Sequence, residues 1–121
     1  SIGGFPQVSG ISYTISTAVP YDANAETYPA STYYGPKTIN RVSINSINGK
    51  EFKADDTYAV VTNDFCSAGG DTYYAFKYAN ATAGYKTGVA LEDALVNYVQ
   101  QVLGGVVGQQ YAQPQGRITI K

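Results

Sequence analysis

The sequence predicts an α+β domain, a mixed β-sheet with one main helix, residues 90–103, packed on it. Two short stretches, Gly10 to Ser16 and Arg117 to Lys121, alternate apolar and polar residues with the period of two that marks half-buried strands. A single stretch, Ala90 to Leu103, instead places Leu91, Leu95, Tyr98 and Val102 on one helical face. The composition agrees: 13 Gly and 12 Tyr in 121 residues, with only 14% charged, describe a turn-rich globular chain rather than a disordered one. That length suits one core, so residues 1–121 are read as a single domain.

Taken in order, the first strand sets Ile11, Tyr13 and Ile15 against Ser12, Thr14 and Ser16. From Ala18 to Pro36, Pro20, Pro29 and Pro36 fall among Asp, Asn and Tyr without a period, which predicts a long loop. A strand over Ile39 to Ile47 starts in phase at Val42 and Ile44 and slips at Ser46-Ile47, so a bulge is expected before the Asn48-Gly49 turn and a return strand over Lys50 to Phe52. Asp55-Asp56 marks another turn. The β-branched run Tyr58 to Val61 is expected to be a central strand covered on both faces. A polar, glycine-rich loop from Asn63 to Asp71 follows, with Asp71 placed to cap a short helical turn through Phe76. In the main helix, Glu92 and Asp93 complement the dipole, the apolar stripe reads as core, and Gly104-Gly105 ends the element. Internal repeats and low-complexity tracts are absent.

Several function classes are excluded. The net charge of −1 offers no basic field for a nucleic acid polymer. With no His, the chain cannot build Ser-His or Cys-His nucleophilic catalysis or His-ligated zinc. The single Cys66 permits no intrachain disulfide, and without a His to form its thiolate it reads as a small structural residue. No stretch approaches the ~20 apolar residues of a membrane span. The chain begins with Ser and contains no Met, which suggests that it is processed or cut from something longer.

Other candidates read as structure. Asp22, Asn24 and Glu26 have the spacing that opens a calcium loop, but Thr27 stands where Gly is needed and Tyr33 where the bidentate Glu belongs, which leaves a solvated turn. Asn80-Ala81-Thr82 is a formal glycosylation acceptor. Arg41 and Arg117 have the chemistry to clamp a phosphate, yet both sit in strand phase and read as sheet-surface arginines. Phe5, among glycines before the first strand, and Phe65 belong to no periodic apolar face. Each is either a recognition residue or a plug beneath its loop. Gly69-Gly70-Asp71 is either a capped turn or a place where backbone and carboxylate approach sugar hydroxyls.

The runs Gly4-Phe5-Pro6-Gln7-Val8-Ser9-Gly10-Ile11, Asn63-Asp64-Phe65-Cys66-Ser67-Ala68-Gly69-Gly70-Asp71-Thr72-Tyr73 and Pro114-Gln115-Gly116-Arg117-Ile118 resemble the C-terminal domain of the 5'-nucleotidases, a family that includes UDP-sugar hydrolases and 2',3'-cyclic-nucleotide phosphodiesterases. The resemblance implies a substrate-binding α+β domain, here incomplete at its N-terminus. Two aromatics that sandwich a nucleobase match Phe5 and Phe65, a ribose-binding carboxylate matches Asp71, and the backbone of Cys66, Ser67, Ala68, Gly69 and Gly70 lines the site. Thr72 stands where Gly often follows the Asp. Catalysis in such a protein belongs to a separate N-terminal metallophosphatase domain with two divalent metal ions, none of whose motifs is in this chain, so the chain alone is expected to be inactive and to bind no cofactor. The implied partners are a nucleoside or nucleotide and that N-terminal domain, and the implied location is extracellular, periplasmic or cell-wall-associated. An incomplete domain is also expected to expose apolar surface and to self-associate or retain its partner segment. The reading of a different class is a non-enzymatic, Tyr-rich extracellular binding or adhesion module, served by the loop from Tyr21 to Tyr34.

Overall fold

A computed structural model of the chain describes residues 5–19 and 41–121. The expected loop over Ala18 to Pro36, the calcium-like Asp22, Asn24 and Glu26, and the start of the strand at Ile39 lie wholly or largely outside the described residues. The chain divides into two compact units, one of Ser1–Ala59 with Gln115–Lys121 and one of Val60–Pro114.

The first unit is a four-stranded mixed sheet built on β1 (Ile11–Ile15). β2 (Val42–Ile47) pairs antiparallel with β1, β3 (Lys50–Glu51) pairs antiparallel with β2, and β4 (Ile118–Ile120) lies parallel to β1 on its other side. The order is therefore β3-β2-β1-β4. The α+β class with a mixed sheet is thus the class that the sequence predicted.

The bulge lies in β2. Ser12 faces Ser46 and Tyr13 faces Ile44, which leaves Asn45 as the extra residue. That one residue brings both Ile44 and Ile47 to the side of the sheet that carries Tyr13 and Ile11, resolving the slip in the apolar pattern. Asn45 uses its amide instead, donating from Nδ2 to Thr14 Oγ1 at 3.0 Å. The hairpin then closes at Asn48 and Gly49, both with positive φ (50° and 75°), as a two-residue turn matched to the strand twist requires.

Because the cross-strand partners share faces, Tyr13, Ile15, Val42, Ile44, Ile118 and Ile120 form one apolar face, and Ser12, Thr14, Ser43, Ser46, Arg117 and Thr119 one polar face. Tyr13, at 9% exposure in the strand flanked on both sides, is the buried apolar residue among those described. The far end of β1 is tied down by Arg41, whose Nε and Nη2 donate to the carbonyls of Ser16 and Thr17, each at 3.3 Å. Thr17 also meets the carbonyl of Lys121 through both its backbone N–H and its hydroxyl. Arg41 therefore fastens backbone.

Three expectations are corrected. Residues 57–63 form no strand, and Val61 is 89% exposed. Their strand character is overridden locally: Tyr58 stacks on Phe52 with ring centres 5.7 Å apart, and its hydroxyl bonds both the N–H (2.9 Å) and the carbonyl (3.1 Å) of Lys53, so the chain closes into a turn. The inner strands of the sheet are β2 and β1. The main helix keeps its expected span, between caps at Ala90 and Leu103, but has neither uniform winding nor a buried stripe. After α1 (Asp64–Ser67) and α2 (Tyr74–Ala83), α3 covers Leu91–Asn97 and passes into a π turn over Tyr98–Val102. Leu91, Leu95, Tyr98 and Val102 are exposed, not core, and a 2.7 Å bond between the hydroxyls of Tyr98 and Tyr111 holds the Tyr98 end of the stripe. Gly104 and Gly105, at φ 66° and 86°, end the element as expected, with the Gly105 N–H donating to the Val99 carbonyl at 2.8 Å. Finally, Asp71 does not cap α2, whose N-cap is Tyr73.

With one buried anchor in the sheet, Tyr13→Ala is expected to cost about 3–5 kcal/mol, the range of a large aromatic removed from a packed site. Urea denaturation followed by far-UV circular dichroism checks this. A loss below 1 kcal/mol, on the order of a surface substitution, would show that the sheet does not depend on that ring.

Candidate functional site

Residues 63–73 are not an open loop but a tight helical elbow in the second unit. Asn63 is extended (φ −76°, ψ 165°), and its side-chain oxygen accepts from the Cys66 N–H at 2.8 Å, the bond that lets α1 start there. Asp64 in the first turn favours the same end of the helix dipole. The turn is closed by bonds from Ser67 N to Asn63 O and from Ala68 N to Asp64 O, both 3.0 Å, while the Ser67 hydroxyl donates to the Asp64 carbonyl at 3.0 Å. Cys66 is a half-buried free thiol within it. Ser67 is half-buried and Ala68, the C-cap of α1, is exposed.

The two glycines have different tasks. Gly69 is buried, with φ 91°, and a Cβ there would lie 3.3 Å from Lys77 Cβ and Tyr74 Cδ1, so its bareness lets α2 close against the elbow. At Gly70 a Cβ would lie 2.5 Å from Phe65 Cζ, which means that the Phe65 ring rests on the Gly70 backbone. Its other surface is open, and the residue is 60% exposed. Asp71 follows in the left-handed region (φ 49°, ψ 34°), a conformation that Asp tolerates better than most residues. Its half-buried carboxylate makes no hydrogen bond or ion pair among the described residues. Beyond it, Tyr73 and Phe76 stack at 5.3 Å with their planes 8° apart.

The structure thus brings Phe65, Cys66, Ser67, Ala68, Gly69, Gly70 and Asp71 into one elbow that offers an aromatic face, a bare backbone and an acceptor-only carboxylate. Such a set suits stacking and hydroxyl recognition. Phe5 belongs to the first unit, ahead of β1, and is 53% exposed. Neither Phe is a core plug. Asn63, which the sequence reading passed over as loop, is the residue that holds the elbow, and the Asn-Asp pair before a Phe carried that capping signal.

The fold and this elbow belong together in a known class of domain. The chain is a member of the family described as 5'-nucleotidase, C-terminal domain, which it matches over residues 1–78, from the segment before β1 into α2. It is 38% identical over 80 residues to the trifunctional nucleotide phosphoesterase protein YfkN of Bacillus subtilis, an alignment covering 64% of this chain and 4% of that protein. It is 30% identical over 119 residues to the cell wall protein Lmo0130 of Listeria monocytogenes, covering 97% of this chain and 13% of that protein. The chain therefore spans a small fraction of the length of either relative. No solved structure matches it.

Gly70→Ala is expected to lift the Phe65 ring off the elbow while lowering stability by about 1 kcal/mol or less, because the exposed ring, once displaced, has solvent to move into. Gly69→Ala should cost more, about 1–2 kcal/mol, from backbone strain at positive φ. Ring proton shifts of Phe65 and urea midpoints separate the two. Unchanged Phe65 shifts in Gly70→Ala would contradict the packing described.

Proposed function

We propose that this chain is the nucleoside-recognition part of a 5'-nucleotidase-type phosphohydrolase. The observation that carries the reading is the pairing, on one elbow, of an exposed Phe65 ring seated on Gly70 with an Asp71 carboxylate that has no partner among the described residues. Phe65 stacks on the base and Asp71 accepts from the ribose hydroxyls, while Phe5 offers an exposed aromatic face of its own for the same class of ligand. Residues 1–121 act as one recognition domain. These groups bind and orient the nucleoside, and orientation lowers the barrier of a displacement carried out by other groups.

Hydrolysis of the phosphate ester falls to an N-terminal metallophosphatase domain in the same parent protein. The two divalent ions of such a centre do not fit the donors of this chain, which has no His and, among its described residues, no cluster of three His, Cys, Asp or Glu side chains. The relative named as a nucleotide phosphoesterase supports the activity class of the parent, and the relative named as a cell wall protein supports a location outside the cytoplasm. Among the described residues no helix is long and apolar enough to cross a membrane. The exposed Leu91, Leu95 and Val102 support association with a second copy or with the rest of the parent. Light scattering of the chain is expected to show species larger than a monomer, and a monomer at millimolar concentration would end that part of the reading.

Phe65→Ala is expected to weaken adenosine binding about 5-fold to 150-fold, the worth of one stacked base face, with little change in melting temperature. Asp71→Asn keeps the backbone conformation and should narrow the preference for adenosine over its 2',3'-dideoxy analogue. Calorimetric titration of the chain, and KM with kcat/KM in the parent enzyme, provide the readouts. Unaltered affinity and kinetics in Phe65→Ala would sink the proposal.

A further inference from the structure

A second set of groups converges on the polar face of the sheet. Arg117 immediately precedes β4, and its backbone carbonyl accepts from the Tyr13 N–H at 2.9 Å, so its side chain leaves the sheet on the same side as Ser12. Ser12 in turn faces Ser46 across the β1–β2 pair, with their hydroxyl oxygens 2.7 Å apart. These three side chains, with Gly10, Ile11 and Gly49, line a shallow depression of about 200 Å3. The hairpin turn and the residue before β1 form its rim.

The hydrogen-bond inventory of this depression is unbalanced. Two serines bring two O–H donors, of which their mutual bond uses one, so one remains to be given away. Arg117 is half-buried, and its guanidinium makes no hydrogen bond or ion pair among the described residues. Its five N–H donors have no acceptor of their own. The contrast with Arg41 is informative, since that side chain is spent on the carbonyls of Ser16 and Thr17. Among the described strand residues, the carboxylate on this face is Glu51, which pairs with Ser46 from the outer strand and so lies beyond both serines from Arg117.

From this we infer that Arg117, Ser12 and Ser46 form a binding site for a phosphate group. The guanidinium fork takes two phosphate oxygens side by side. The free serine O–H, on the neighbouring strand, takes a third oxygen, which a phosphate has and a carboxylate, with only two oxygens, lacks. The depression admits an inorganic phosphate or the phosphate end of a monoester, and is too small for a whole nucleotide lying in it. This inference does not rest on the nucleoside reading, which uses other residues.

The test is a titration of the chain with inorganic phosphate, followed by the Nε–H signal of Arg117 and the amide signals of Gly10, Ser12 and Ser46. Ribose 5-phosphate serves as the monoester arm, acetate as the planar-anion arm, and adenosine as a phosphate-free control that reports only on the nucleoside reading. Saturable shifts at these four residues are expected, stronger for phosphate than for acetate. Arg117→Gln keeps the backbone bond to Tyr13 and should weaken phosphate binding about 10-fold or more. Arg117→Lys should recover part of it, and the Ser12→Ala, Ser46→Ala pair should weaken it less. Tighter binding of ribose 5-phosphate than of phosphate assigns the site to an ester, and the reverse to the free ion. The absence of shifts at these residues, equal shifts with acetate, or an unchanged titration in folded Arg117→Gln would overturn the inference.

Discussion

The parallel pairing of β4 with β1 is the constraint on which the first unit rests. It joins Tyr13 to Ile118 and Ile15 to Ile120, partners separated by more than a hundred positions, and it makes β1 an inner strand instead of an edge. Closing so long a loop costs conformational entropy that grows only slowly with length, but it is recovered only after the final strand arrives. The bonds of Thr17 to the last carbonyl of the chain and of Arg41 to Ser16 and Thr17 all gather at one end of β1. The burial of Tyr13 follows from this arrangement, because only a strand flanked on both sides has neighbours enough to cover a ring.

The elbow of the second unit is held in another way. It needs no long-range partner: a side-chain cap at Asn63, four short backbone bonds and two residues at positive φ fix it within eleven positions. Local closure of this kind explains how an aromatic ring stays at the surface in a defined place. Phe65 is supported from below by a residue without a side chain, so its outer face stays available while its orientation is not free. The bare backbone at Gly70 is what makes an exposed phenylalanine a surface instead of a tether.

What was legible in the sequence follows the range of the forces involved. β1, β4 and the hairpin through Asn48-Gly49 were readable because alternation and turn chemistry are local, and the slip at Ser46-Ile47 already announced the bulge now placed at Asn45. The run Tyr58 to Val61 misled because β-branched residues carry strand propensity without a partner, and the hydroxyl of Tyr58 found the backbone of Lys53 first. The stripe of α3 was legible as a stripe, but periodicity reports which residues share a face and not what covers it. In the elbow the contiguous residues from Phe65 to Asp71 stood out as a motif, whereas the seat of the ring on Gly70 depends on a turn in three dimensions. The meeting of Ser12, Ser46 and Arg117 was illegible for the same reason, since it is created by strand register between segments far apart in the chain.

The bulge at Asn45 has an evolutionary corollary. In an ordinary strand, exchanging one residue alters one position, but here a single surplus residue decides which chemistry each flank of β2 presents. Losing or gaining one codon within residues 42–47 would move the aliphatic groups on one flank to the hydroxyl side and the serines to the aliphatic side, all at once. The strand therefore tolerates an exchanged side chain far better than a changed length, and the count of residues between Val42 and the hairpin is itself part of what specifies the sheet.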